Sequence, residues 1–219
     1  MKIRSLLLAA FAVVSFGVPA SAADMPMKAP AYAVPAINWT GPYIGAFAGY
    51  HFGEVRQSGC VGVCSGGEDL NLGLFGFQVG YDWQMPNNMV WGVFAAVPVI
   101  PADDTVPGNP GNIPFDVEAK FQAMIGARLG FAMGNALPYI FAGPGVVRVK
   151  LEGPVGDDTN THLFAGFGAG VEYRLTRNWS VDLRYMYSVV FKETYNIGGG
   201  PSDIGDNAHN LFAAINYRF

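Results

Sequence analysis

The sequence predicts an all-β fold, an eight-stranded antiparallel transmembrane β-barrel, from three observations. Apolar and polar residues alternate in segment after segment, most clearly over residues 116–131, and a period of two is typical of strands with one apolar face. The chain is 51% hydrophobic and only 14% charged, whereas soluble domains average about 25% charged residues. Beyond residue 22 no apolar run reaches the length of a transmembrane helix, so the excess apolar surface favours strands that face lipid.

The chain is predicted to consist of a secretory signal, an extended periplasmic lead-in and one barrel domain, over residues 1–22, 23–37 and 38–219. Lys2 and Arg4 precede an apolar stretch too short to span a membrane, and Ala20-Ser21-Ala22 is typical of a cleavage site. The lead-in is rich in Pro and Ala and has no clear period. Removal of the signal would leave 11 basic and 17 acidic residues, which argues against nucleic-acid binding.

Eight predicted strands follow, separated alternately by short turns and longer loops. The strands cover about residues 39–52, 70–83, 89–99, 116–131, 137–151, 163–175, 179–191 and 207–219. The longer loops cover residues 53–69, 100–115, 152–161 and 193–207. Outer-membrane barrels have short periplasmic turns and longer extracellular loops, so both chain ends are predicted to be periplasmic. Pro144 interrupts the fifth strand and predicts a bulge or kink there.

Aromatic residues gather at the predicted periplasmic ends of the strands. These residues are Trp39, Trp83, Trp91, Phe131, Tyr139, Trp179, Tyr217 and Phe219. Amphipathic rings prefer the headgroup level of a bilayer, so this placement predicts an aromatic girdle. A soluble eight-stranded barrel with an apolar interior is the alternative, but it gives no reason for all four tryptophans to lie at one end.

Several motifs resemble one known family. Residues 39–50 match the pattern W-[TS]-G-x-Y-[IV]-G-x-x-A-G-Y, residues 23–28 match A-D-x-P-x-K, and residues 76–84 match G-x-Q-x-G-Y-x-W-Q. Together they resemble the alphaproteobacterial eight-stranded outer-membrane barrels of the opacity-porin type, which are OmpA-like. The sequence departs from that family at Phe47 and Phe94, where many members carry an inward Asn and an inward Glu. The resemblance covers essentially the whole mature chain and implies the outer membrane of a Gram-negative bacterium.

The closing strand carries the predicted assembly signal, which consists of Leu211, Ala213, Ile215, Tyr217 and Phe219. A terminal Phe on an alternating strand resembles the signal that the barrel-assembly machinery reads. This machinery is therefore a predicted partner during biogenesis. Outer-membrane lipid and lipopolysaccharide are the predicted partners of the finished barrel.

Charged residues on the polar faces of the strands are predicted to fill the lumen with an ion-pair network. Its predicted members are Asp82, Glu118, Lys120, Arg128, Arg148, Lys150, Glu172, Arg174, Asp182, Arg184 and Arg218. Inward glycines at positions 76, 80, 126, 130, 166, 168 and 170 would leave room for water, so a narrow, weakly anion-preferring pore is the alternative. Eight strands enclose a lumen that side chains can fill, which favours the closed form.

No catalytic, cofactor or metal site is predicted. Cys60 and Cys64 lie in the first external loop and are predicted to form a local disulfide, since two cysteines alone are too few for zinc. Three histidines, His51, His162 and His209, lie at the predicted external rim and suggest haem binding as an alternative. Some members of the resembled family bind haem. An acidic outer surface would, however, repel the haem propionates. His162, Ser188 and Asp182 could be grouped as a triad, although no supporting motif is present.

The predicted function is therefore a non-enzymatic, structural role in the cell envelope, with loops exposed at the surface. A small porin-like channel, a haem or ligand receptor and a lipid-modifying enzyme are the alternatives.

Overall fold

The described strands form one antiparallel sheet that closes on itself. The computed structural model describes residues 37–58, 67–99, 103–106, 115–153, 156–195 and 202–219. Its strands are β1 (Gly41–Ser58), β2 (Gly67–Gln84), β3 (Met89–Val99), β4 (Asp103–Val106), β5 (Phe115–Phe131), β6 (Ala136–Gly153), β7 (Gly156–Arg174), β8 (Trp179–Tyr195) and β9 (Ser202–Arg218). The predicted signal and nearly all of the lead-in, residues 1–36, lie outside the described residues.

The ring has eight strands, because two of the nine segments occupy one position in the wall. β1 pairs with β2 and with β9, β2 pairs with β3, and β5 to β9 pair in chain order. β3 and the four-residue β4 both pair with β5, so β4 extends the wall that β3 begins. The predicted eight-stranded antiparallel barrel is confirmed. Among the residues just given, no helix is long and apolar enough to cross a membrane.

Three tight turns define what we call the short-turn end of the barrel. They join β2 to β3, β5 to β6 and β7 to β8, and backbone hydrogen bonds close each of them. Asn88 and Gly134 adopt the left-handed conformation, with φ of 64° and 62°, which Asn and Gly tolerate best. The last residues of the chain lie at the same end, where the Phe219 amide donates to the Pro42 carbonyl at 3.2 Å.

At the opposite end, which we call the long-hairpin end, the strands run further than predicted. β6 and β7 pair as far as Gly153 and Gly156, across the predicted loop 152–161. β1 continues to Ser58 and β8 to Tyr195. The predicted loop bounds are wrong there because the ladder continues after the apolar alternation stops. Strands that project beyond lipid have water on their outer face, so they lose the pattern but keep the hydrogen bonds.

Lipid-facing and lumen-facing residues alternate along every long strand. Large apolar side chains are exposed on the outer face, among them Ile44, Phe77, Ile125, Ile140, Leu163, Phe167, Leu183 and Leu211. Their neighbours in sequence are buried in the lumen. Side chains of successive residues in a strand point to opposite faces, so this pattern sets an apolar wall against lipid and leaves a separate interior to be filled.

Pro144 interrupts one ladder of β6 without inserting a residue. The pairs with β5 stop at Gly145 and resume at Ala142 in the same register, while pairing with β7 continues through Pro144. A proline has no N–H to donate, so a local gap is the direct result. Of the bulge or kink predicted at Pro144, the bulge is wrong, because the β5–β6 ladder shifts register between Ala119 and Phe121 instead.

Candidate functional site in the barrel lumen

Six charged side chains meet inside the barrel near the short-turn end, and we call them the charged cluster. They are Asp82, Arg128, Glu172, Asp182, Arg184 and Arg218, and their side chains are buried or nearly so. Each occupies an inward position on β2, β5, β7, β8 or β9. Three carboxylates face three guanidinium groups, so these six side chains are balanced in charge, and the buried Arg174 adds a fourth guanidinium beside them. Buried charges are tolerated only when they are paired in this way.

Two arginines bridge two carboxylates at the centre of the charged cluster. Arg218 Nη2 lies 2.7 Å from Asp82 Oδ2 and 2.9 Å from Glu172 Oε2. Arg128 Nη1 donates to Glu172 Oε2 at 2.9 Å, and Arg128 Nε donates to Asp82 Oδ1 at 2.8 Å. Ser180 Oγ donates to Glu172 at 2.5 Å. Both carboxylates are thus held by both guanidinium forks, the geometry in which ion pairs are strongest.

Neutral side chains extend the cluster across the lumen. Tyr139 donates its hydroxyl to Asp182 Oδ1 at 2.7 Å. Arg184 donates to the Gln78 amide oxygen, and Gln78 in turn donates to Asn216 at 2.7 Å. Asn216 Nδ2 reaches Glu172 at 3.3 Å, which joins this chain to the two bridged carboxylates. The polar groups therefore form one connected network, which fixes the side chains in a single arrangement.

Trp39 covers the charged cluster from the short-turn end. Its ring is fully buried, and the guanidinium carbons of Arg174 and Arg218 lie 4.8 and 4.9 Å from the ring centroid. Its backbone amide donates to Gln84 Oε1 at 2.8 Å, and its carbonyl accepts from Arg218 at 3.2 Å. The girdle position predicted for Trp39 is wrong, because the residues before β1 turn into the lumen. Tyr139, also predicted in the girdle, has an inward phase.

The other aromatic residues predicted for the girdle remain on the outer face. Trp91 stacks on Trp83 with the ring centroids 4.2 Å apart, and Trp179 packs edge-on against Tyr217 at 5.2 Å. Phe219 is exposed beside Tyr217. These rings surround the short-turn end at the level where a bilayer interface accommodates them.

Toward the long-hairpin end from the charged cluster, an apolar layer fills the cross-section of the lumen. Its members are Phe47, Leu74, Phe94, Met124, Phe141, Phe164, Met186 and Phe212. Phe47 packs edge-on against Phe212, with ring centroids 5.6 Å apart, and Phe94 packs the same way against Phe141 at 5.9 Å. The cavity that remains beside these side chains has a volume of about 40 Å³, room for a few water molecules at most.

Six inward glycines lie opposite aromatic residues of the lumen. Directly opposite partners in neighbouring strands are Tyr43 and Gly80, Phe47 and Gly76, Phe94 and Gly126, Tyr139 and Gly170, Phe164 and Gly145, and Phe212 and Gly49. A Cβ added at any of these glycines would come within 2.2–2.7 Å of a ring atom of its partner. These glycines therefore make room for aromatic rings. The expectation that inward glycines leave room for water is wrong at Gly76, Gly80, Gly126 and Gly170.

The remaining predicted network members lie elsewhere. Lys120 and Arg148 are exposed, and Lys150 Nζ lies 3.1 Å from Asp157 Oδ2, so none of these three joins the charged cluster. The bulge at positions 119–121 displaces Lys120 from the inward series, and Arg148 follows the outward phase of β6. Arg174 adjoins the cluster through Trp39, and the Glu118 side chain is outside the described part.

Sequence reasoning missed the neutral members of the network. Gln78 belongs to the motif over residues 76–84, and Ser180 and Asn216 have the inward phase of their strands. The signal that could have found them is a polar residue in phase with an inward charge, two or four positions away.

The three histidines do not converge on a ligand site. His51 Nδ1 contacts Asn210 Oδ1 at 2.8 Å inside the barrel, whereas His209 is exposed on the outer face beside the Tyr185 hydroxyl at 2.6 Å. His162 is buried with Nδ1 3.0 Å from the Phe191 carbonyl. Within the described ranges, no group of three or more His, Cys, Asp or Glu side chains could hold a metal ion. Cys60 and Cys64 lie outside those ranges.

A Ser/His/Asp triad is not assembled. Ser188 and Asp182 are six residues apart on β8, which corresponds to about 20 Å along a strand. Ser188 accepts from Asn210 Nδ2 at 3.1 Å, and Asp182 belongs to the charged cluster. The separation is several times the reach of a catalytic hydrogen bond.

Known proteins share this architecture. Residues 7–219 match the family model described as outer membrane protein beta-barrel domain. The chain is 28% identical over 240 residues to the 31 kDa outer-membrane immunogenic protein of Brucella melitensis, across 99% of this chain and 100% of that relative. It is 28% identical over 189 residues to the 22 kDa outer membrane protein of Rhizobium leguminosarum bv. viciae, across 84% of this chain and 80% of the relative. The crystal structure of outer membrane protein OprG from Pseudomonas aeruginosa superposes with a TM-score of 0.58, covering 82% of this chain and 96% of that chain at 10% identity, so the two share a fold.

Proposed function

The chain belongs to the outer membrane protein beta-barrel domain family and is an integral outer-membrane protein. We propose that it is a closed, non-enzymatic structural component of the envelope. One observation carries the proposal: the lumen is filled in three successive layers. Trp39 covers the short-turn end, the charged cluster lies next, and the apolar layer follows. A barrel filled in this way acts as a membrane anchor for what projects from its ends.

The absence of an assembled catalytic group among the described side chains supports a non-enzymatic role. The buried acids Asp82, Glu172 and Asp182 all accept hydrogen bonds from neighbouring side chains, so their lone pairs are committed to the network. A general base needs a free path to a substrate proton. Trp39 and the apolar layer separate these carboxylates from both mouths of the barrel.

The proposed orientation places the long-hairpin end outside the cell and the short-turn end in the periplasm. The long hairpins β6–β7 and β1–β2 extend beyond the exposed apolar residues of the wall. The name of the Brucella relative, an immunogenic outer-membrane protein, agrees with hairpins that reach the surface. Intact-cell labelling tests this: Thr159→Cys should react with a membrane-impermeant maleimide, and Arg177→Cys, in a turn at the opposite end, should not.

Planar-bilayer recording tests the closed lumen. The refolded mature barrel should show no regular conductance steps, because the apolar layer carries no charge and leaves little water. Removing rings on both sides of the charged cluster, by Trp39→Ala together with Phe47→Ala and Phe94→Ala, should let water reach the cluster from both mouths and produce ion flow. A matched variant with Phe77→Ala and Phe167→Ala, which lie on the lipid-facing side, should stay closed. Regular steps from the unaltered protein would overturn the proposal in favour of a small channel.

Lipid analysis separates the structural role from a lipid-modifying enzyme. Lipid A extracted from cells that produce the protein and from cells that lack it should have the same mass spectrum. A mass difference that is also present in cells producing the Asp182→Asn variant would come from another cellular response. A difference that this replacement abolishes, in a barrel that remains folded, would show a catalytic lumen.

A further inference from the structure

Basic side chains cluster on the outside of the barrel at the long-hairpin ends of β5 and β6. Lys120 and Arg148 are exposed, and Lys150 is about a quarter exposed. Arg148 is the direct strand partner of Phe121, an exposed lipid-facing residue. We call Lys120, Arg148 and Lys150 the basic patch. It begins where the exposed apolar residues of this part of the wall stop.

The height of the basic patch follows from the facing strand. Outward apolar residues on β7 run from Tyr173 to Leu163, both exposed. Ten residues at about 3.3 Å each, tilted by about 40°, span about 25 Å along the barrel axis. This is the height of the apolar band of outer-membrane barrels. The next outward position beyond Leu163 is Thr161, the strand partner of Arg148, so the patch lies at the level of the lipid headgroups.

The charges of the basic patch suit a phosphate group. The Arg148 guanidinium makes no hydrogen bond or ion pair with any side chain or backbone group that the structure describes, so its fork of donors faces outward. Lys150 lies 3.1 Å from Asp157, whose side chain is half exposed, and the Lys150 side chain itself is about a quarter exposed. A guanidinium fork matches the geometry of phosphate oxygens, and a nearby ammonium adds charge.

We propose that the basic patch binds the phosphate of a phosphorylated glycolipid headgroup in the outer leaflet, while the acyl chains of that lipid lie on the exposed Phe121 and Leu163. The occupant is a lipid because the patch is continuous with the lipid-facing wall and sits one strand position above it. The chain as a whole is negatively charged and repels anions, so this local group of bases is the part of the surface that attracts them. The inference rests on the proposed orientation, with the long-hairpin end in the outer leaflet.

Titration of the full mature protein with bisphosphorylated lipid A, followed by native mass spectrometry, tests the site. Arg148→Gln should weaken binding about fivefold, and the double variant with Lys150→Gln about twenty-fivefold, since each base near a charged lipid surface contributes roughly a factor of five. Arg177→Gln removes an exposed arginine at the short-turn end and should leave binding unchanged. Arg148→Lys should restore part of the affinity, because the charge returns without the fork.

Three further results decide between occupants. Lipid A without phosphates should bind the unaltered protein and Arg148→Gln equally. Inorganic phosphate at millimolar concentration should compete poorly with lipid A for the basic patch. Full competition would show a free-anion site and overturn the proposal. Equal lipid A affinity for Arg148→Gln and the unaltered protein would also overturn it. Heat-modified mobility on gels verifies that each variant is folded, and the maleimide labelling of Thr159→Cys separates a wrong orientation from a wrong site.

Discussion

Replacing Glu172 by glutamine tests whether the charged cluster holds the barrel together. The Glu172 carboxylate is fully buried and accepts hydrogen bonds from Arg128, Arg218 and Ser180. The substitution keeps the shape of the side chain but leaves three guanidinium groups facing two carboxylates. Breaking a buried ion pair from one side costs about 3–5 kcal/mol, because an uncompensated charge remains away from water. We expect the free energy of unfolding to fall by that amount.

Equilibrium unfolding by urea in lipid vesicles measures the effect, with tryptophan fluorescence and gel mobility as independent probes. The midpoint should fall while the dependence on denaturant stays the same, since the exposed area does not change. Glu193→Gln is the matched control. It removes the same charge from an exposed side chain at the long-hairpin end of β8, and it should change stability by less than about 0.5 kcal/mol.

A second substitution identifies the physical cause of the loss. Adding Arg128→Gln to Glu172→Gln returns the cluster to two bases and two acids. The double variant should therefore lose less stability than the sum of the single variants, by about 1–3 kcal/mol. A loss below 1 kcal/mol for Glu172→Gln, or strictly additive effects, would refute the view that charge balance in the lumen stabilises the fold.

Three other perturbations test the wall, the assembly signal and the packing. Leu183→Cys should react with lipid-phase probes and Arg184→Cys should not, because Leu183 is exposed and Arg184 faces the lumen. The reverse labelling pattern would show that the lipid and lumen faces are inverted. Deleting Phe219 should lower the amount of inserted barrel in membrane fractions, and unchanged levels would contradict its predicted role in assembly. Gly126→Ala places a Cβ 2.6 Å from a phenylalanine ring and should cost about 1–3 kcal/mol in urea unfolding. Gly73→Ala, where the space is open, should be neutral.

The fold could be predicted because each strand has its own alternation. The exposed Leu211, Ile215 and Leu183 occupy the outward phase that the sequence predicts. The same phase places Arg128, Glu172 and the other cluster members inside. A period of two is a local property, so it survives without knowledge of which strands are neighbours. The resemblance to a known barrel family supported the same fold through independent motifs.

The basic residues of β5 and β6 show where local phase is insufficient. A bulge between Ala119 and Phe121 adds one unpaired residue, and every side chain beyond it changes face relative to a regular strand. The alternation of apolar and polar residues continues unbroken across this bulge, so the sequence pattern does not reveal the change of face. The predicted lumen position of Lys120 failed for this reason. Arg148 keeps the outward phase of Ile140, but the apolar Val147 and Val149 on either side of it favour a lumen position when the segment is taken alone.

The filling of the lumen needed register, which no single segment contains. The sequence has both inward aromatic residues and inward glycines, but only strand pairing places each ring opposite a glycine. The interior of a small barrel is concave, so side chains on neighbouring strands converge, and one large and one small residue fit where two large ones do not. The six pairs between these glycines and rings are thus a consequence of barrel curvature.

The same pairs help to specify the register that produces them. In the observed pairing of β1 with β2, Phe47 lies opposite Gly76 and Tyr43 lies opposite Gly80. A slip of two residues keeps every side chain on its correct face, so hydrophobic alternation does not exclude it. One such slip would bring the Phe47 ring opposite Gln78, and the other would bring it opposite a leucine. In both cases Tyr43 also loses its glycine. Inward glycines therefore select the native alignment among registers that the apolar wall alone accepts equally.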